Sequence, residues 1–154
     1  MAVDVVTEIT IDAPRSDVAA YAANPDNVTS WYANIEAVEW RSPKPAVVGS
    51  KIVFVARFLG SRLAYTYEVK EAVPGFRFVM STDDGPFPME TTYSWEDTPD
   101  GATRMTLRNR GEPSGLSKLG RPWMVRAMRR ANGKDLTQLK RILESTSLPP
   151  GPRG

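Results

Sequence analysis

The side chains best suited to chemistry are tyrosines and one asparagine on alternate positions of short apolar runs. Tyr65 and Tyr67 lie two residues apart, and Tyr93 and Asn109 occupy similar positions in later runs. Residues two apart on a β-strand face the same side of a sheet, so these side chains are predicted to share one face. Phenol and amide groups form hydrogen bonds, and a phenol can also transfer a proton. The candidate catalytic residues are therefore Tyr65, Tyr67, Tyr93 and Asn109.

The composition excludes several kinds of active site. The 154 residues include no cysteine and no histidine, which excludes disulfides, thiolate metal sites, cysteine nucleophiles and serine–histidine pairs. No acidic cluster has the spacing of a carboxylate metal site, so neither a metal nor a cofactor is predicted. Strand alternation shows no inward Asp, Glu or Lys, and an ordinary tyrosine, with a pKa of about 10, is a poor base at neutral pH. The charged candidates are Arg57 and Glu112, both predicted at the mouth of the same space.

The net charge of +2 is too small to indicate nucleic-acid binding. No signal-peptide pattern opens the chain and no run of about 18 apolar residues occurs, so a cytoplasmic location is expected. Basic residues concentrate between positions 115 and 145, as is typical of the solvated face of an amphipathic helix. Contact with a membrane surface or an acidic partner is the alternative. These residues are Lys118, Arg121, Arg126, Arg129, Arg130, Lys134, Lys140 and Arg141.

Hydrophobic periodicity predicts an α+β fold with seven strands, two short helices after the first strand and one long C-terminal helix. Because the breaks between strands are short, neighbouring strands are expected to pair antiparallel. One domain is predicted over residues 1–145, followed by a disordered tail over 146–154. The predicted strands are 3–11, 35–41, 50–58, 62–72, 76–82, 88–96 and 102–111, and the predicted helices are 15–23, 26–31 and 114–145.

Alternation within the strands makes one face of the sheet aromatic and the other charged. The long helix is the element available to cover the aromatic face, and one helix cannot cover a seven-stranded sheet. We therefore predict that the largest internal pocket lies between sheet and helix, although the aromatic residues would alternatively fill a packed core. Bulges are expected to be most disruptive at Met80 and Asn109. The predicted ligand-binding residues are Phe54, Phe58, Tyr65, Tyr67, Met80, Met89, Thr91, Tyr93, Trp95, Asn109, Trp123, Met124 and Met128.

Helix breakers interrupt the C-terminal pattern. Pro122 cannot donate to the helical ladder, and Gly133 costs about 1 kcal/mol relative to alanine inside a helix. The regular helix is therefore predicted to begin near Pro122, and to bend or fray toward Gly133. Residues 113–124, the loop at 86–88 and the short helix around Trp31 are predicted to form a gate over the cavity mouth.

The order and spacing of these pieces resemble the SRPBCC superfamily, in its polyketide cyclase/dehydrase type 2 branch, which is related to START lipid-transfer domains and pollen-allergen-type proteins. The resemblance covers residues 3–145, and departs from the usual pattern at Ala33 and Ala102. It implies a helix-grip fold in which a curved seven-stranded sheet surrounds the long helix and the first strand pairs with the last. The segments that carry it are 9–14, with Val18 and Tyr21, Trp31, Gly49, 67–69, 92–93, 100–103 and 136–144.

Two functions of different class follow. The first, which we favour, is a carrier or sensor that holds a small, largely apolar, lipid- or polyketide-like molecule between sheet and helix. The second is a polyketide cyclase or aromatase that promotes aldol cyclisation and dehydration there by holding reacting carbons close together. A regulatory protein that binds a partner through the basic helix is a third, weaker reading, which the salt dependence of binding would distinguish.

Overall fold

A computed structural model describes residues 3–58, 60–84, 88–111 and 121–146. Seven antiparallel strands form one curved sheet in the order β1-β7-β6-β5-β4-β3-β2, with a 3-10 turn at Pro25–Asn27 before the second helix. The strands are β1 (Val3–Ile11), β2 (Ile35–Trp40), β3 (Lys51–Phe58), β4 (Ser61–Val73), β5 (Arg77–Thr82), β6 (Met89–Asp97) and β7 (Thr103–Gly111), and the helices are α1 (Arg15–Ala22), α2 (Val28–Trp31) and α3 (Arg121–Thr146).

The predicted fold class is confirmed, with strand ends within one residue of those expected. Short breaks place β2 to β7 beside their sequence neighbours, and β1 pairs with β7 so that Val5 faces Asn109. Several predicted features lie outside the described residues. They are Glu112 and most of the expected gate, within residues 112–120, and most of the expected tail, within residues 147–154. Trp31, also assigned to the gate, is 1% exposed and belongs to the core. Its ring packs in the core, while Val28 and Tyr32 on either side of it line a cavity described below.

Alternation assigns the concave face correctly along β3, β4, β6 and β7. Ile52, Val69, Tyr93, Met105 and Leu107 are buried in one core on that face. The opposite face carries exposed ion pairs, whose contributions are typically below about 1 kcal/mol each. They include Arg108–Asp4, Arg104–Glu96, Arg77–Glu71, Lys70–Glu68 and Arg57–Glu36.

One bulge borders the Val69–Met80 pair, and the pairings of β7 show none at Asn109. Register shifts lie between Ile35 and Ala37 in β2, and between Val69 and Glu71 in β4. Met80 faces Val69 and Thr91, so it keeps its predicted face. A bulge adds one residue to one strand and reverses its alternation.

Helix α3 runs without interruption through Asn132 and Gly133, so the expected fraying there is wrong. The amide of Asn132 donates to Asn109 Oδ1 at 2.7 Å, which ties this turn of the helix to β7. Beyond it, Leu136, Leu139 and Leu143 are buried. This tertiary anchoring offsets the weak helix propensity of glycine.

The prediction that Trp123 faces the sheet is also wrong, because its side chain is 69% exposed. Trp123 precedes the buried Asn132 by nine residues, which is two and a half turns at about 3.6 residues per turn. Its side chain therefore leaves the helix on the side opposite Asn132. Met124 and Met128 are half-buried.

Replacing Gly133 by alanine is expected to raise the free energy of unfolding by about 0.5–1 kcal/mol, because Gly133 is helical and a Cβ there meets no atom within 4 Å. Urea denaturation measures this difference. Gly101→Ala is the matched control, since Gly101 has a φ of +84° and also an open surround. The control should lower stability, and a Gly133→Ala variant no more stable than the wild type would contradict the continuous helix.

Candidate functional site

A cavity of about 160 Å³ opens between the concave face of the sheet and the segment that includes α2. Phe54, Ala56, Tyr65 and Tyr67 come from the hairpin of β3 and β4, which curls over it. None of the lining residues belongs to the described part of α3. Its full lining is Val28, Tyr32, Ile35, Phe54, Ala56, Tyr65, Tyr67, Met80, Thr91, Tyr93 and Asn109.

A chain of hydrogen bonds from α3 fixes the hydroxyl of Thr91 on the cavity wall. Asn132 donates to Asn109 Oδ1 at 2.7 Å, and Asn109 Nδ2 donates to Thr91 Oγ1 at 3.0 Å. Thr91 lies near Tyr67, and its hydroxyl acts to lower the pKa of that phenol. With Thr91 Oγ1 accepting from Asn109, its own proton remains available to another acceptor. The Tyr67 hydroxyl keeps its own proton as a donor for a molecule in the cavity.

A second polar feature of the cavity is a pair of hydroxyls. Tyr32 Oη and Tyr93 Oη lie 2.8 Å apart, and either can be the donor. Tyr93 is 1% exposed, and its ring packs beside Phe78 and Trp95. One of the two hydroxyl protons forms this hydrogen bond, so the pair can donate the other to a molecule in the cavity from a fixed and largely dehydrated position.

Burial keeps these phenols protonated. Desolvation raises the pKa of Tyr67 to about 12, although the nearby Thr91 hydroxyl acts in the opposite direction. Desolvation also raises the pKa of Tyr32 and of Tyr93, each reinforced by the charge of nearby Asp135. The pKa of Tyr65 is raised by the same cause. At neutral pH the four tyrosines are therefore hydrogen-bond donors and not bases.

A buried carboxylate stands behind the tyrosine pair. Asp135 on α3 is 6% exposed, and its Oδ1 accepts the backbone N–H of Ala33 at 3.1 Å. Desolvation raises the pKa of Asp135 to about 6, opposed by that hydrogen bond. It is absent from the cavity lining, and it acts on Tyr32 and Tyr93 through its charge.

Seven of the thirteen predicted ligand-binding residues share this cavity. Phe54, Tyr65, Tyr67, Met80, Thr91, Tyr93 and Asn109 line it. Asn109 has both ends of its amide engaged, by Asn132 and Thr91, so it positions other groups.

The other proposed residues lie elsewhere. Met89 lines a groove beside Arg110, Trp95 lines a separate cleft, and Arg57 is exposed and paired with Glu36. Trp123, Met124 and Met128 do not line the cavity, and nothing is described of the Phe58 side chain. The cleft that includes Trp95 has a volume of about 550 Å³, which exceeds that of the cavity.

Three important residues of the site were missed by sequence reasoning. Tyr32 follows the short helix α2, so strand alternation did not include it. Asn132 and Asp135 lie in the predicted C-terminal helix, and sequence reasoning assigned neither of them to the site. The signal for both was their spacing, because positions 132, 135, 136, 139 and 143 follow the three- and four-residue steps of one helix face.

The fold and family are shared with known proteins. The family model described as polyketide cyclase/dehydrase and lipid transport matches residues 2–144, and no curated protein sequence matches the chain. The protein TTHA0849 from Thermus thermophilus has a TM-score of 0.78 at 19% identity, with 94% of this chain and 99% of that protein covered.

Two further solved structures are di-domain proteins. The di-domain ARO/CYC StfQ from the steffimycin biosynthetic pathway has a TM-score of 0.80 at 13% identity, with 95% of this chain and 52% of StfQ covered. The di-domain ARO/CYC BexL from the BE-7585A biosynthetic pathway has a TM-score of 0.77 at 20% identity, covering 95% and 48%. The chain thus spans about half the length of each. At these identities the likeness establishes the fold alone.

Over the part of the chain that the structure describes, no helix has the length and apolar character needed to cross a bilayer.

Proposed function

The chain belongs to the polyketide cyclase/dehydrase and lipid transport family, and from this premise we propose that it binds a small, largely apolar molecule as a carrier or sensor. The observation that carries this proposal is the Tyr67 hydroxyl, set as a neutral donor in a cavity with apolar walls. Such a site recognises an apolar body with one carbonyl or hydroxyl oxygen, as in lipid- or polyketide-like molecules.

The size of the cavity limits the size of the molecule that we propose to bind there. About 160 Å³ is below the roughly 300–1,000 Å³ of sites that enclose drug-sized ligands. The proposed occupant is therefore a molecule of one or two rings, or one end of a longer chain. Phe54 stands edge-on to Tyr67 with ring centroids 5.5 Å apart, which leaves the aromatic faces to pack against such a ring.

The lining chemistry favours binding over catalysis. The titratable groups among the described lining residues are tyrosines, and desolvation raises the pKa of each. A general base must reach the proton that it removes and be deprotonated at working pH. A phenol in the cavity wall can reach such a proton, but it is itself protonated at neutral pH and therefore cannot remove one.

The cyclase alternative is supported by one residue, Asp135. A buried carboxylate with a pKa of about 6 is near the range that suits a general base at neutral pH, and it would act through the Tyr32–Tyr93 pair. Aldol closure of heptane-2,6-dione to its cyclic enone, followed by absorbance, separates the two functions. Acceleration that Asp135→Asn removes would support the cyclase, whereas the background rate in both proteins supports the binder.

Tyr67→Phe is expected to weaken binding of 1-tetralone, a neutral two-ring ketone, by about 3- to 10-fold, because one hydrogen bond to its carbonyl is lost. Isothermal titration calorimetry measures the affinity. Tetralin, which lacks the carbonyl, is the matched ligand and should bind the variant and the wild type equally. Equal loss for both ligands would show that the hydroxyl does not recognise the oxygen.

A further inference from the structure

The larger cleft lies outside this cavity. It is bounded by α1, the loop between β2 and β3, and the turn between β4 and β5, with Phe78 and Trp95 of the sheet at its base. Its volume of about 550 Å³ falls within the range of ligand sites. It shares no lining residue with the inner cavity.

The apolar wall of the cleft is built from small side chains. Ala19 faces it from α1, Ala23 from the position directly after α1, and Ala46 from the β2–β3 loop. Ala72 joins them because the bulge between Val69 and Glu71 reverses the alternation of β4, so that Ala72 pairs with Phe78. Short side chains leave room for an apolar ring or chain.

The charged residues that line the cleft are mostly basic. Arg15, Lys44 and Arg77 line it, against the single acid Asp26, which holds Lys44 at 2.8 Å. Arg15 and Arg77 have acidic partners, Asp97 and Glu71, but neither partner lines the cleft. The lining alone thus presents an excess of cations to an occupant.

Two buried N–H donors in the lining residues have no acceptor among the described residues. These are Nε of Arg15 and Nε1 of Trp95, a residue that is 4% exposed. A buried donor without a partner costs roughly 1–3 kcal/mol, so such groups are uncommon. Both residues lie at the same end of the molecule. The backbone N–H of Trp95 donates to the carbonyl oxygen of Phe76, and the Arg15 guanidinium lies 4.0 Å from the centre of the Phe76 ring.

We propose that this cleft is a second binding site, which takes a small organic carboxylate with an apolar ring or chain. The alanine wall and Phe78 contact the apolar body, while Arg15, Lys44 and Arg77 attract the carboxylate. Carboxylate oxygens are the acceptors that would pair with the Arg15 and Trp95 donors once these side chains turn toward the cleft. The site is independent of the inner cavity, whose proposed ligand is neutral.

Titration of ¹⁵N-labelled protein with 1-naphthoate tests the proposal by NMR. The indole Nε1–H resonance of Trp95 is expected to move and saturate, while that of the exposed Trp123 stays in place. The neutral 1-naphthalenemethanol has nearly the same shape and should bind about 10-fold more weakly or worse. A Trp95 resonance that does not move, or equal affinity for the alcohol, overturns the proposal.

Ala20→Phe places a large side chain in the cleft from the exposed side of α1. It is expected to weaken 1-naphthoate by about 10-fold or more, whereas Ala127→Phe, at an exposed alanine of α3, leaves binding unchanged. Lys44→Gln gives an independent reading: it should weaken 1-naphthoate several-fold, and Lys51→Gln, outside the cleft, should not. Wild-type affinity in Ala20→Phe or in Lys44→Gln overturns the proposal. Binding of 1-tetralone to these variants reports separately on the inner cavity.

Discussion

Ala56→Phe is expected to lower the affinity for 1-tetralone by about 5- to 150-fold. Ala56 is a half-buried residue of β3 whose side chain lines the inner cavity beside Ile35 and Phe54. A phenyl ring there takes up much of a space of about 160 Å³, so the ligand can enter only by displacing packed side chains, at a cost of about 1–3 kcal/mol. Isothermal titration calorimetry measures the loss directly.

The matched control is Ala64→Phe on the neighbouring strand. Ala64 is exposed and lies outside the cavity, so this substitution adds the same ring without filling the site. Wild-type affinity is expected for the control. If Ala56→Phe binds 1-tetralone as tightly as Ala64→Phe does, the ligand does not occupy the cavity of Tyr67.

Asp135→Asn is expected to stabilise the protein at neutral pH by up to about 3 kcal/mol. Burial raises the pKa of Asp135 from 3.8 to about 6, so the folded state binds its proton more tightly than the unfolded state does. The free energy of unfolding of the wild type therefore falls as pH rises from about 4 through 6, and then levels off. The variant lacks this loss, so the two proteins differ least near pH 4 and most above pH 7.

Urea denaturation of both proteins between pH 4 and 8 measures this difference curve. The groups near the carboxyl are the Ala33 amide and the hydroxyls of Tyr32 and Tyr93, and none of these is positively charged. Asp17→Asn, at an exposed position of α1, controls for the loss of one acidic charge. A pH-independent difference between Asp135→Asn and the wild type would mean that Asp135 does not titrate in this range.

The protein keeps a carboxylate at position 135 although its burial lowers the free energy of unfolding at neutral pH. A buried carboxylate that lowers stability at neutral pH is typical of groups retained for a role in a site. In this protein it holds the Ala33 amide, which follows directly on Tyr32 of the cavity. Asp135 therefore fixes the position of Tyr32 in the binding function, and becomes the candidate base in the cyclase alternative.

The strands were predictable because their core faces alternate. Tyr65, Tyr67, Tyr93 and Asn109 reach the same cavity because the strands that carry them keep their register up to the cavity. A period of two fixes a face as long as no residue is inserted. The sheet and half of the site therefore followed from the sequence.

The remaining features depend on tertiary contacts that local patterns do not encode. Trp123 has the spacing of the apolar residues in the helix pattern, yet its side chain leaves α3 on the side opposite Asn132. Asp135 lies in a basic segment, and only its place on the buried face of α3 distinguishes it. The cleft depends on the bulge that turns Ala72 inward. It also brings together residues more than fifty positions apart in the chain, such as Arg15 and Ala72.

The central claim, that a neutral apolar molecule binds beside the Tyr67 hydroxyl, is tested most directly by intermolecular NOEs. Protein with labelled methyl groups, saturated with 1-tetralone, should show NOEs from the ligand to the Met80, Ala56 and Ile35 methyls, which all line the inner cavity. NOEs confined to Ala19, Ala23 and Ala46 of the cleft, or none at all, would contradict it.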